Sequence, residues 1–131
     1  MAGSEFSQPS LAISTIGPNG LDVFRVVRSD NPEDPVFVNS LRSHYELERP
    51  PRRIEGRSAA LHMGLSVFVS RERAAETAKR FPAIGGFVAR LQLTAGHGFD
   101  FAFTGPPGHL TLWADPVKLA PTAVDITTVE R

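Results

Sequence analysis

Few side chains in this sequence could do chemistry. Four histidines stand at His44, His62, His97 and His109, and none of the 131 residues is a cysteine. The lack of thiols removes disulfides, thiolate zinc sites, iron–sulfur clusters and cysteine nucleophiles. No two histidines fall four apart and no close carboxylate completes a ligand set, so no metal is expected. His97, between two glycines, reads as a surface turn residue. His109 opens the stretch His109-Leu110-Thr111-Leu112-Trp113. Its alternation puts an imidazole, a hydroxyl and an indole on one strand face, and two leucines on the other. The polar–aromatic face suits a cleft that stacks and hydrogen-bonds a ring. It equally suits a secondary core covered by Trp113, with His109 in a structural hydrogen bond.

Arginine supplies the other candidates. Arg25 sits among Val23, Phe24, Val26 and Val27, where a charge costs several kcal/mol unless it is paired or opens onto a cleft. One reading is a strand-edge arginine paired with Asp22 or Asp30. The other is a guanidinium fork reaching a ligand phosphate, a geometry lysine does not offer. Arg42 to Arg57 holds five arginines and three glutamates with two prolines and a glycine. It reads as a solvated helix end and mobile loop, or as an arginine-bearing lid over a phosphate-containing ligand. Gly-x-Ser-x-Gly, Gly-x-Gly-x-x-Gly and the phosphate-binding Gly-rich loop ending in Lys-Ser or Lys-Thr are all missing. Glu46 and Glu48, two apart on a helix, would face different directions and make no glycosidase pair.

The elements that must position these groups follow from periodicity. Met1 to Phe6 look vector-derived and are set aside; residues 7–20 read as a flexible lead-in in which Leu11 and Ile13 pair at most briefly at a sheet edge. Val23 to Val27 is β-branched and aromatic, a strand with Val23, Arg25 and Val27 on one face. Asp34-Pro35 starts a helix, and Phe37, Leu41 and Tyr45 give it an apolar face that must stop before Pro50. A second strand runs from Leu65 to Val69. Ser70 caps the next helix, which carries Glu72 early and Lys79 and Arg80 late, with Ala74, Ala75, Ala78 and Phe81 as a narrow stripe against a sheet. Phe87 to Leu93, Phe99 to Thr104, His109 to Trp113 and Val124 to Val129 read as strands. Asp115-Pro116 reads as a strand stop. Helices in the first half and strands in the second give an α+β fold, a single domain over residues 21–131.

Composition narrows the partners. Fourteen basic residues balance fourteen acidic ones, for a formal net charge of +0. No broad nucleic-acid surface is expected, because such binding draws on clustered Lys and Arg. No apolar run approaches the roughly 20 residues that span a bilayer, so the expectation is a soluble, cytoplasmic domain. Oligomeric state is left open.

Two resemblances add to this reading. Gly64-Leu65-Ser66-Val67-Phe68, the alanine-spaced helix Ala74 to Ala78, Gly85-Gly86-Phe87-Val88-Ala89 and Gly108-His109-Leu110-Thr111-Leu112-Trp113-Ala114-Asp115-Pro116 together resemble a family of small uncharacterised bacterial proteins. The match covers about half the chain and implies no activity. More remotely, Val23-Phe24-Arg25, followed by Ser66 to Ser70 and an alanine-rich helix, resembles ADP-ribosyltransferase-like domains. That resemblance implies a twisted, split sheet with two main helices and NAD as substrate, for transfer of ADP-ribose or cleavage of NAD by a toxin or modifying enzyme. Arg25, Ser70, Trp113 and Tyr45 would hold the dinucleotide, and His109 or Asp115 would stabilise developing charge. The late-strand glutamate usual in such domains is missing from His109 to Trp113. The alternative is a non-catalytic module that binds a protein partner through the arginine-rich segment 42–57.

Overall fold

The computed structural model describes residues 12–42 and 64–130. They build a mixed α+β fold around one seven-stranded, wholly antiparallel sheet. In chain order the strands are β1 (Ser14–Thr15), β2 (Leu21–Val27), β3 (Leu65–Phe68), β4 (Phe87–Leu93), β5 (Asp100–Phe103), β6 (His109–Trp113) and β7 (Ala123–Thr128). Across the sheet they lie β1-β5-β6-β3-β2-β4-β7. Helix α1 (Pro35–Ser40) follows β2, α2 (Arg71–Arg80) follows β3 and α3 (Pro116–Leu119) follows β6. Among the described residues, no helix is long and apolar enough to cross a membrane.

Strand alternation sends side chains to two separate cores. Val23 and Val27 of β2, Leu65 and Val67 of β3, Leu110 and Leu112 of β6, and Ala89, Leu91 and Leu93 of β4 share one face. Phe37, Leu41, Leu119 and Ala120, from α1, α3 and their ends, close over it. Each fully buried side chain of this size contributes about 1.5–3 kcal/mol of transfer free energy. On the opposite face Val26 and Val88 meet Ala74 and Ala78 of α2, with Phe24 and Phe68 at the margin. The two alanines are fully buried, and their small size lets the helix backbone lie close to the strands.

Local chemistry sets the helix ends. Asp34 accepts the Val36 N–H at 2.9 Å, and Pro35 occupies the first turn, where no N–H is needed. The Ser70 hydroxyl accepts the Arg73 N–H at 3.2 Å, while Glu72 and the Lys79–Arg80 pair match the helix dipole. Beyond α2, Gly85 adopts φ 150° against β2. A Cβ there would collide with the Val27 carbonyl oxygen, so the position requires glycine.

Several expectations change. The lead-in is partly built into the fold: Ser14 and Thr15 pair with Phe101 and Asp100, and Ile16 is buried. The apolar spacing of Phe37 and Leu41 holds, both being buried, but α1 ends at Ser40, with Leu41 as its cap. Phe81 leaves the α2 stripe and is 53% exposed, because the backbone turns out of helix at that residue. Phe99, Phe101 and Phe103 do not form a uniformly covered face. Phe103 is 66% exposed, whereas Ala102 and Thr104 behind it are buried. β1 lies only beside Asp100 and Phe101, so among the described residues no strand flanks Phe103 on that side. Finally, Asp115-Pro116 begins α3 rather than merely ending a strand.

Candidate functional site

Arg25 projects from the middle of β2 on the face of Val23 and Val27, toward α1. Its Nε and Nη2 donate to the Ser40 carbonyl oxygen at 3.0 and 2.9 Å. Its Nη1 donates to the Ser66 carbonyl oxygen at 2.8 Å. Ser40 closes α1, so its C=O belongs to the set a helix leaves without intrahelical partners. The Ser66 C=O lies where the β2–β3 ladder gives out, since that ladder pairs Phe24 with Phe68 and no further residue. The guanidinium therefore ties helix, strand and sheet gap together. Neither expected acidic partner takes part: Asp22 accepts from Arg90 Nε at 2.9 Å instead, and no bond joins Asp30 to Arg25.

The electrostatics of that group are unusual. Burial pushes the Arg25 pKa down from its ordinary value to about 10, because leaving water disfavours the charged form. The group stays a cation at neutral pH, and its partners among the described residues are neutral carbonyls. A guanidinium has five N–H donors; three are engaged, and the two left over sit on the Nη atoms. Arg25 is half-buried as a residue; Ser66, which accepts from Nη1, is exposed, and Ser40, which accepts from Nε and Nη2, is half-buried.

His109 begins β6 on the opposite sheet face, half-buried beside Phe68, whose ring meets it edge-on at 5.3 Å. Its Nδ1 lies 2.8 Å from the Thr104 carbonyl oxygen and 3.1 Å from the Thr104 hydroxyl. A carbonyl only accepts, so Nδ1 carries the proton and the neutral ring keeps its lone pair on Nε2. The Thr104 hydroxyl is also 2.9 Å from that of Thr111, both buried. The turn Gly105 to Gly108 makes this possible by folding Thr104 back across from His109, whose carbonyl accepts the Thr104 N–H at 3.1 Å.

The other expected site residues divide between the two ends of β6. Ser70 lies at the His109 end, where Val69 N–H donates to the Gly108 carbonyl oxygen at 2.9 Å, and its hydroxyl is engaged as the α2 cap. Trp113 is half-buried at the far end, across from Asp100 and against Gly64, where a Cβ would lie 2.9 Å from the indole nitrogen. Four residues of strand put it about 13 Å from His109. Asp115 lies beyond it, exposed, one carboxylate oxygen accepting the Val117 N–H at 2.9 Å as the α3 cap. His109 and Asp115 thus stand at opposite ends of the strand, and Arg25 points from the other face. Tyr45, His44, His62 and the arginine-rich segment beyond Arg42 lie outside the described residues. Among the described residues no three His, Asp or Glu side chains group in a way that could hold a metal ion.

Sequence reasoning missed the supporting residues. The signal for Thr104 lay in the Gly-Pro-Pro-Gly turn, which places the residues flanking it opposite one another. Ser40 and Ser66 act through backbone carbonyls, which side-chain type does not advertise. Arg71 also escaped notice: it lies over the Phe24 ring, 5.2 Å from its centroid, and donates to Asp125 at 2.8 Å and Thr127 at 2.6 Å. The chain matches no family model, no curated protein and no solved structure.

Proposed function

We propose that the protein binds a nicotinamide dinucleotide, with the free Nη donors of Arg25 on the pyrophosphate, as an ADP-ribosyltransferase-like domain would. The observation that supports this reading is the Arg25 cation itself. It is partly desolvated, held rigidly by Ser40 and Ser66 at the place where β2 and β3 part, and among the described residues it meets only neutral oxygens. An anion reaching the two remaining Nη donors would complete the coordination with charge-assisted hydrogen bonds. Transfer or hydrolysis at the nicotinamide ribose is the activity that goes with such a site. His109, whose fixed Nδ1 proton leaves Nε2 as a proton acceptor, lies on the other sheet face from Arg25, so it does not reach a dinucleotide held at the fork. Asp115 is already engaged as a helix cap, and Trp113 lies on the other sheet face from Arg25, so neither helps to hold a pyrophosphate at the fork.

The test is a thermal-shift titration with NAD, ADP-ribose and nicotinamide riboside, the last lacking any phosphate diester. Ligand at ten times its dissociation constant adds about 1.4 kcal/mol, a rise of about 5 °C for a chain of this size. NAD and ADP-ribose should stabilise and nicotinamide riboside should not. Arg25→Lys, which keeps the charge but loses the fork, should abolish the rise measured from its own ligand-free midpoint. Equal stabilisation by all three ligands, or none at millimolar NAD, would sink the assignment.

A further inference from the structure

The two edges of the sheet are not alike. At one edge β1 is two residues long, too short to template another strand. At the other, β7 runs for six residues beside β4, and among the described residues no strand lies beyond it. Exposed edges in natural proteins are blunted by lysine, proline, bulges or brevity. The β4–β7 register has one irregularity, opposite Arg90 and Leu91, which leaves Asp125 to Thr128 regular. That stretch has no lysine and no proline. Its single charge, Asp125, is drawn over the sheet face by Arg71, which also holds the Thr127 hydroxyl.

The direction of the edge groups follows from one hydrogen bond. Val129 N–H donates to the Gly86 carbonyl oxygen at 2.9 Å, so it points inward toward β4. Strand alternation then turns Thr127 inward as well, and directs the N–H and C=O of Ile126 and Thr128 away from the sheet. A second strand laid antiparallel here can pair Ile126 with Thr128 and Thr128 with Ile126 about a two-fold axis at Thr127. In that register Thr127 faces its own copy, a favourable cross-strand pair, and Asp125 faces Val129, so no like charges oppose each other. Two copies of a chain with formal net charge +0 bring no net repulsion to the encounter.

We infer that the β7 edge is a self-association surface, through which two copies of this chain join their sheets by antiparallel β7–β7 pairing centred on Thr127. This is independent of the Arg25 reading, since no residue is shared. The contact is small, so the dimer is weak and concentration-dependent. Sedimentation of the full chain from about 20 μM to about 1 mM, the span of weak association constants, should show monomer passing to dimer. Thr128→Pro removes one outward N–H and no bond to β4, and should leave a monomer throughout with an unchanged circular dichroism spectrum. As a check on register, Thr127→Cys in this cysteine-free chain should cross-link on mild oxidation, because facing residues of a non-hydrogen-bonded pair lie about 4.5 Å apart at Cα. Thr128→Cys should not. A wild-type chain that stays monomeric over the whole range, or a dimer that survives Thr128→Pro, would overturn the inference.

Discussion

Arg25→Met keeps most of the apolar stem and removes the guanidinium, so it isolates what the fork does for the fold. Three hydrogen bonds disappear, and the Ser40 and Ser66 carbonyl oxygens lose their shared partner. Hydrogen bonds from a charged donor contribute about 1.5–3 kcal/mol each when well shielded. Here two of the three share one acceptor, and the third lies near solvent. The variant also escapes the cost of desolvating a cation, the cost that pushes the Arg25 pKa down to about 10. The balance is a net loss of about 2 kcal/mol, equivalent to about 8 °C in Tm for a chain of this size. Urea unfolding followed by circular dichroism at neutral pH measures it directly, with an unchanged slope showing that the unfolded state is not altered. A loss below about 0.5 kcal/mol, the range of ordinary surface substitutions, would mean that the bracket between α1, β2 and β3 contributes nothing, and the reasoning about Arg25 would fail with it.

Three further outcomes follow from the same geometry. Gly85→Ala should cost about 3 kcal/mol or more, through positive φ and collision with the Val27 carbonyl; a urea midpoint equal to wild type would contradict this. Nitrogen-15 spectra of His109 in its neutral form should show the proton on Nδ1, the atom facing the Thr104 carbonyl, and an Nε2-protonated pattern would remove His109 as a proton acceptor. Dinucleotide binding should be flat with pH across the neutral range and weaken only above about 10, where Arg25 loses its proton. Anion binding favours the charged form and so moves that loss to still higher pH; affinity falling between about pH 6 and pH 8 would point to a histidine instead.

Elements with local signals were legible in the sequence. The Ser70 cap, the charge order of α2 and its alanine stripe all concern residues within two turns of one another, and each fell where expected. The alternation of β2 and β6 correctly sorted Val23 and Leu110 from Val26 and His109. Elements set by long-range partners were harder to read. Asp34-Pro35 and Asp115-Pro116 are the same helix-start signal, yet the second, lying directly after a clear strand, reads as a stop. Phe103 belongs to a convincing aromatic alternation yet is exposed, because alternation assigns a face and not what packs over it. The site was legible in residue type but not in arrangement. Arg25 stood out as a cation among apolar neighbours, whereas its partners are backbone carbonyls 15 and 41 residues away.

The central claim is that the Arg25 fork receives a pyrophosphate, and the side-chain resonance of Arg25 Nε reports on it most directly. Held against the Ser40 carbonyl, that N–H should be protected enough to observe, and its assignment follows from its loss in Arg25→Lys. Titration with NAD and with ADP-ribose should move it saturably, together with the backbone amides around Ser40 and Ser66, while nicotinamide riboside leaves it in place. Saturable shifts confined to residues remote from Arg25, or no shift at millimolar dinucleotide, would contradict the account.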